Sequence, residues 1–367
     1  MGKKALTFTP DYAVPPGETL LETLQTLGMS QAELANRTGR PLKTINEIIK
    51  GKAAITPETA LQLERVLGAP ARFWNNLERN FRDALARIKE RKKIAGGAAL
   101  LRKMPVRALI KAKAIKNLPD KAALVVEVLT FFGVGSPAAW GRVWTAQRAV
   151  FRQSPAFRSA PGAVAAWLRM GELRAQRIQC PPFDRDGFRT ALKQIRALTV
   201  EPPEVFHDKL EELCANAGVA LVFVSELPGT HVSGATRWLT AKKALIQLSL
   251  RYKSDDHLWF TLFHEAGHIL LHGKRRVFLE DSRTTNIQEK EANAFAANTL
   301  IPPAALREFQ RRGDTSKAAI RKVADGLGIS PGIVVGRLQH EGVLPYSHCN
   351  DLKRRFELVE REDSEAA

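Results

Sequence analysis

The chain has 367 residues, 44% hydrophobic and 26% charged, with a formal net charge of +18; this suits a globular protein of two or three domains with polyanionic partners, nucleic acid first. No apolar run reaches the ~20 residues that span a bilayer, since AALVVEVLTFFGVG at 122–135 is broken by Glu127, and MGKKALTFTP has no apolar signal-peptide core. Cys180, Cys214 and Cys349 are odd in number and far apart, which excludes a disulfide framework and fits a reducing cytoplasm.

Residues 1–16 read as an arm ending at Pro15-Pro16. Residues 17–93 read as five helices. LLETLQTLG stops at Gly28. Ser30 caps QAELANRTG, with Glu33 completing a capping box and Gly39 closing the helix. LKTINEIIKG stops at Gly51. Thr56 opens PETALQLERVLG, with Pro57 at the first helical position. A basic helix covers about 71–93. A charge run meeting a glycine pair places a boundary at 94–97, and Gly96-Gly97 reads as an exposed nick site. Residues 98–200 form an Arg-rich helical connector without a chemical motif. TVEPPEV at 199–205 marks the next boundary. Over 201–345 the period changes: three short strands at 218–225, 234–240 and 243–250, helices at 256–272 and 286–300, and two more helices within 315–341. A charged tail, 346–367, is expected to fray. The fold class is α+β and mostly α.

Residues 264–268 read HEAGH, the H-E-x-x-H pattern, after an apolar LWFTLF that keeps the surroundings dry. Positions i and i+4 share a helix face, so His264 and His268 can converge on one ion at about 2.0–2.1 Å. Glu265 lies ~100° round the axis, beside the ion, where a general base for an attacking water belongs. Gly267 would let a neighbouring element approach closely. The helix NIQEKEANAFAANTL supplies Glu289 and Asn293 on a shared face, with small Ala292 and Ala296 for close packing. Glu289 is the expected third ligand, and Asn293 is expected to orient a ligand imidazole. Glu291, ~200° round from Glu289, should point away. His272 continues the series, but eight residues rise about 12 Å, too far from His264 to share an ion. It reads as a support to the ligands or a core histidine. Three protein ligands leave a fourth position for solvent, the catalytic arrangement. The donor set suits zinc, and manganese or cobalt also fits. The implied reaction is hydrolysis of an amide, with an extended peptide adding to an open strand edge beside the site.

FTLFHEAGHILLHG followed by EKEANAFAANTLIPP resembles the ImmA/IrrE family of zinc metallopeptidases, over residues 200–345. The resemblance implies a thermolysin-like zincin mini-fold, zinc on His264, His268 and Glu289, and Glu265 as base. Members of that family are typically bacterial proteases that cut a DNA-binding repressor under stress or during mobile-element induction. Asn293 stands where thermolysin-like sites often have Asp, so it would accept from the ring N–H without charge.

Residues 30–68 combine a capped helix, a glycine turn, a second helix with one polar face, a glycine stop and a third amphipathic helix. Ala32, Leu34, Ala35, Ile45, Ile48 and Ile49 supply the expected apolar contacts. The segment resembles the Xre/lambda-repressor type of helix-turn-helix, and ITPETALQLERVLGAPARFWNNLE is similar to HigA-like antitoxins. That resemblance makes LKTINEIIKGK the recognition helix, with Lys43, Thr44 and Asn46 toward base edges and Gln31, Arg40, Lys50 and Lys52 toward phosphates. Pro41 replaces the usual Ser cap of that helix. A homodimer on paired half-sites is expected. Residues 315–341 also look like a helix-turn-helix and are read as packing beside the active site.

The expected function is a cytoplasmic DNA-binding transcriptional regulator with a zinc-dependent endopeptidase domain. Its substrate would be a regulatory protein (a repressor, a partner or the chain itself) in a stress, phage or toxin–antitoxin setting. The alternative is a HigA-like antitoxin or repressor, with a toxin as partner, whose zinc domain senses or binds without cutting. Glu265 weighs against that alternative, because zinc binding alone does not need it.

Overall fold

The computed structural model describes residues 12–95, 97–151, 160–273, 278–279 and 287–358. Residues 1–11 of the expected arm, Gly96 of the expected nick site and residues 359–367 of the tail lie outside the described residues. The chain divides into two compact units, Met1–Ala98 and Ala99–Ala367.

The first unit is helical: α1 (Pro16–Thr26), α2 (Gln31–Thr38), α3 (Leu42–Ile49), α4 (Pro57–Leu67) and α5 (Ala71–Ala95). Ser30 Oγ accepts from the Glu33 N–H at 3.1 Å, and Gly39 ends α2 in the left-handed conformation. Thr56 caps α4 in the same way, and Pro57 at its start needs no hydrogen-bond partner. Pro41 offers α3 no side-chain cap. Leu20, Leu24, Leu34, Ile45, Ile48, Leu63 and Trp74 form one core. Gly17 lets α1 cross close to α3, because a Cβ there would strike the carbonyls of Ile48 and Ile49. Ala32, expected in the α2–α3 contact, is exposed. It sits on the outer side of a helix whose inner side is taken by Leu34 and Ala35.

The second unit carries α6 (Ala98–Leu101, straddling the junction), α7 (Val106–Lys111), α8 (Lys121–Phe132), α9 (Pro137–Phe151), α10 (Pro161–Arg177), α11 (Arg185–Ala197) and α12 (Pro203–Asn216). Then come β1 (Val219–Phe223), β2 (Gly234–Thr240), β3 (Lys243–Leu248), α13 (Asp255–Leu271), β4 (Phe278–Leu279), α14 (Ile287–Leu300), α15 (Pro303–Arg312), α16 (Lys317–Leu327) and α17 (Pro331–His340). The strand order is β1-β3-β2-β4. β1 runs parallel to β3, and the other pairs are antiparallel. Three strands were expected, with an open edge beside the site. β4 takes part of that edge, pairing Leu279 with Ala235 and Phe278 with Thr236.

The stretch 98–200, expected as a separate connector, belongs to this second unit. Phe188, Ala191, Leu192 and Ile195 of α11 lie in the same core as the strands and α13. Trp167 of α10 donates from Nε1 to the Val224 carbonyl at 2.9 Å, and Gln247 donates back to the Trp167 carbonyl at 2.7 Å. Gly171 leaves the space that the Gln247 side chain fills. The start of the tail is also ordered. Leu352 and Phe356 join the core, the Asp255 N–H donates to the Arg354 carbonyl, and the Phe356 N–H donates to the Lys253 carbonyl. Two of the three cations between Leu352 and Phe356 are held as well, Lys353 by Asp256 and Arg354 by the carbonyls of Val200 and Glu201.

Lys121–Trp144 is long and apolar enough by composition to cross a membrane. Gly133, left-handed, ends α8 and divides this stretch. The 12 residues of α8 rise only about 18 Å, short of the ~30 Å hydrocarbon layer.

Candidate functional site

α13 positions the H-E-x-x-H residues. Its first turn is anchored by a buried acidic pair. Ser330 Oγ donates to Asp255 Oδ2 at 2.5 Å, and Lys353 meets Asp256 at 2.7 Å. Burial raises the Asp255 carboxyl above its usual range, against the hydrogen bond from Ser330. Gly332 and Gly336 let α17 lie against these two aspartates, since a Cβ at either would strike their carboxylates. The second helix of the 315–341 pair is therefore committed to packing. Ile333, Val334, Val335 and Leu338 of α17 are buried, which leaves no recognition face for a groove.

His264, Glu265, His268 and Glu289 are all buried. One ligand atom from each of His264, His268 and Glu289 lies within 4.8 Å of the others. The two Nε2 atoms are 3.0 Å apart, and Glu289 Oε2 is 3.1 Å from that of His264 and 3.5 Å from that of His268. Both Nδ1 atoms have partners outside the cluster: Asn293 Oδ1 at 2.8 Å for His264, and His272 Nδ1 at 2.9 Å for His268. The Nε2 edges therefore meet a carboxylate oxygen at a common centre, a donor set that fits a divalent cation. Gly267 explains how the carboxylate arrives. A Cβ there would come within 3.3 Å of the Ala292 Cα, so α13 and α14 cross closely at that point.

Burial disfavours the imidazolium and pushes His268 down to about 4, against the opposing pull of Glu289. Burial alone would raise the Glu289 carboxyl, but hydrogen bonds with His264 and His268 outweigh it and hold the group at about 2. Neutral imidazoles and an ionised carboxylate are the forms that bind metal.

Glu265 faces β2. A Cβ on Gly234 would lie 2.6 Å from Glu265 Oε1 and 2.7 Å from Thr261 Cγ2. Thr236 Oγ1 donates to the Glu265 carbonyl at 3.1 Å, which ties the strand to the helix at that residue. Neither Gly234 nor Thr236 carries a sequence signal, because both act through pairing distant in the chain. Glu291, expected to point away, does avoid the ligand cluster but reaches His272 Nε2 at 3.0 Å. His272 lies at the C-cap of α13 with extended φ and ψ, so a helical projection does not place it.

In the first unit, Asn46 Nδ2 donates to Gln31 Oε1 at 3.3 Å, joining α3 to α2. Arg40 Nε donates to Gln62 Oε1 at 2.5 Å, and Lys43 lies 4.0 Å from Glu47 with 86% of its side chain exposed. Thr44 is half-buried, and Lys50 and Lys52 are exposed.

Two family models match the chain: the IrrE N-terminal-like domain over residues 220–339 and the helix-turn-helix over residues 20–74. An uncharacterised HTH-type transcriptional regulator of Escherichia coli, YddM, is 36% identical over 63 residues, covering 17% of this chain and 67% of that one. Virulence-associated protein I of Dichelobacter nodosus is 39% identical over 67 residues, covering 18% and 62%. The chain thus spans about two thirds of the length of these curated relatives. Among solved structures, an addiction-module antidote protein of the HigA family from Coxiella burnetii is 35% identical, covering 23% of this chain and 92% of that one, with a TM-score of 0.22. These findings define a DNA-binding regulator of two parts. The chain belongs to the helix-turn-helix family, with HigA-like neighbours, and carries an IrrE N-terminal-like domain downstream.

Proposed function

We propose that this regulator is also a zinc-dependent endopeptidase, which hydrolyses a peptide bond in a regulatory protein. The observation that carries the reading is the convergence of His264 Nε2, His268 Nε2 and a Glu289 oxygen on one buried point, with Glu265 beside them. A zinc ion held there would supply Lewis acidity toward the scissile carbonyl; manganese or cobalt suits the same donors. His264, His268 and Glu289 hold the ion. Asn293 fixes the ring of His264. Glu265 takes one proton from the attacking water and returns it to the leaving nitrogen as the C–N bond breaks, giving a carboxylic acid and an amine. The buried walls of α13 and β2 keep bulk solvent from this carboxylate. α3 reads the operator through Lys43, Thr44 and Asn46, while Gln31, Arg40, Lys50 and Lys52 meet phosphates. The protein acts as a cytoplasmic homodimer, in a stress, phage or toxin–antitoxin setting.

The test uses the full-length chain loaded with zinc and its Glu265→Gln variant, each incubated with a diverse peptide library read by mass spectrometry of new termini. Loss of the general base should slow cleavage by roughly 10²–10⁴-fold while zinc content stays at one per chain. If both proteins hold zinc and neither cuts, or both cut equally, the hydrolytic reading is wrong.

A second reading rests on the likeness of the first unit to HigA antitoxins. In it the DNA-binding head represses its own promoter, and the metal domain binds a signal or a toxin without cutting. Repression that is unchanged in Glu265→Gln, together with no cleavage by either protein, would favour it.

A further inference from the structure

We infer that the exposed basic segment 102–121, with Arg107 and Lys111 of α7 at its centre, binds the phosphate backbone of duplex DNA and adds to the contact made by the helix-turn-helix. The inference rests on the DNA-binding reading above and places a further contact in residues outside the first unit.

Charge is spread unevenly along the chain. Residues 98–171 hold twelve Lys and Arg against two acids, Asp120 and Glu127, so ten of the net +18 charges fall there. Residues 172–367, which contain the metal cluster, hold 28 cations and 26 acids and are nearly neutral. The excess is therefore local. Both acids of the basic stretch are engaged by main-chain groups: Asp120 accepts from the N–H groups of Ala122 and Ala123, and Glu127 accepts from that of Lys116. Arg102, Lys103, Arg107, Lys111, Lys116 and Lys121 are all exposed. Among the described residues none of these six is in an ion pair. Elsewhere helical cations are matched by an acid four positions away, as in Arg37 with Glu33, Arg82 with Glu78 and Arg337 with Glu341.

The segment is folded around these cations. Leu100, Met104, Leu109 and Ile115 turn inward and are buried. Lys113 is left-handed, with φ 53°, and the N–H groups of Lys113 and Ala114 close α7 on the carbonyls of Ile110 and Leu109. A Cβ on Gly162 would strike the Lys103 carbonyl, so α10 seats directly on this backbone. Arg107 and Lys111 are four positions apart on α7 and share a face, where like charges repel. No acid of the segment offsets that repulsion, and a polyanion does. Duplex DNA is the polyanion at hand. The unit that carries the helix-turn-helix ends at Ala98, so a duplex held there is presented to the next residues of the chain at high effective concentration. An anionic membrane fits less well, because it needs apolar anchors beside the cations, and Val125, Val128, Leu129, Phe131 and Phe132 of α8 are buried.

The experiment measures binding of the full-length protein to a long random-sequence duplex, by fluorescence anisotropy across a salt series. Wild type is compared with Arg107→Gln/Lys111→Gln and with the charge-keeping Arg107→Lys/Lys111→Arg. Two further pairs are Lys209→Gln/Lys322→Gln, a control at exposed positions elsewhere, and Lys50→Gln/Lys52→Gln in the first unit. Loss of two phosphate contacts should reduce the slope of log K against log salt by about 1.8, so that an about fourfold rise in salt weakens Arg107→Gln/Lys111→Gln about twelvefold less than wild type. The charge-keeping pair and the Lys209/Lys322 control should keep the wild-type slope, and all melting temperatures should agree. An unchanged slope in Arg107→Gln/Lys111→Gln overturns the inference. An equal reduction in the Lys209/Lys322 control or in the charge-keeping pair also overturns it. So does wild-type DNA binding by Arg107→Gln/Lys111→Gln with loss of binding to phosphatidylglycerol vesicles, which makes the surface a membrane contact. If Arg107→Gln/Lys111→Gln lowers the slope and Lys50→Gln/Lys52→Gln does not, the phosphate role of the head is wrong and this inference stands. Wild type that binds no duplex overturns both.

Discussion

The carboxylate of Glu265 lies against Gly234, a residue from another element that leaves room for it by lacking a side chain. Gly234→Ala should push that carboxylate aside while leaving His264, His268 and Glu289 in place. Cleavage is expected to fall by at least tenfold with zinc stoichiometry unchanged, read by the peptide assay and by metal analysis. A second prediction concerns Cys214, whose thiol is pushed up to about 12, first by burial and then by the nearby Glu211 carboxylate. Its proton is held more tightly in the folded chain than in the unfolded one. It therefore adds stability below the ordinary thiol pKa of about 8.5, and this is lost as pH rises beyond that value. At pH 8–9 a thiol reagent should label Cys180 and Cys349, which are half-buried, well before Cys214. Cys214 should react only on unfolding. At this scale the sequence displays what depends on helical spacing. His264 with His268, and Glu289 with Asn293, are legible because i and i+4 share a face, and Glu265 because it stands one residue, ~100°, round from His264. Gly234 is not, because its effect needs β2 beside α13, and Glu291 is missed because its partner lies past the end of a helix.

Among the elements, α2 and α3 show how local signals fix a reading head. Ser30→Ala removes the α2 cap and should cost about 1 kcal/mol of stability, seen as a lower midpoint in chemical denaturation. Removing an exposed cation, as in Lys52→Ala, should weaken binding to all DNA sequences alike and reduce its salt dependence by about one ion. Asn46→Ala should instead cost about 1–3 kcal/mol at one base pair and relax specificity there. It also removes the hydrogen bond to Gln31, so the fold of the variant is checked by its melting temperature. The helices were legible from caps, glycine stops and apolar period. The role of α17 needed more than pattern. Its apolar residues are compatible with a recognition pair, and it is the fit of Gly332 and Gly336 over Asp255 and Asp256 that commits it to α13.

For the molecule as a whole, each unit has its own apolar core. Metal binding should stabilise only the second unit. Zinc at a hundredfold excess over its dissociation constant adds about 2.7 kcal/mol, so calorimetry with and without a chelator should move one transition and leave the one belonging to residues 12–95 in place. The extent of the second unit was the least legible feature. Residues 98–200 look like a connector because α10 and α11 carry no motif, yet Phe188 and Ile195 lie in the core of the sheet domain, and the buried Trp167 bonds the carbonyl of Val224. Nothing in linear spacing announces that a tryptophan will bond a carbonyl 57 positions away. The short strand β4 also has a bearing on how any polypeptide would reach Glu265. Its two residues already occupy the backbone of Ala235 and Thr236. A newcomer seeking those same positions must evict a tenant that is tethered to the site and never diffuses away. At a net value of about 1 kcal/mol for each of two ladder bonds, that contest weakens apparent affinity roughly thirtyfold, a threshold that random unfolded chains meet less easily than a partner docked elsewhere on the molecule.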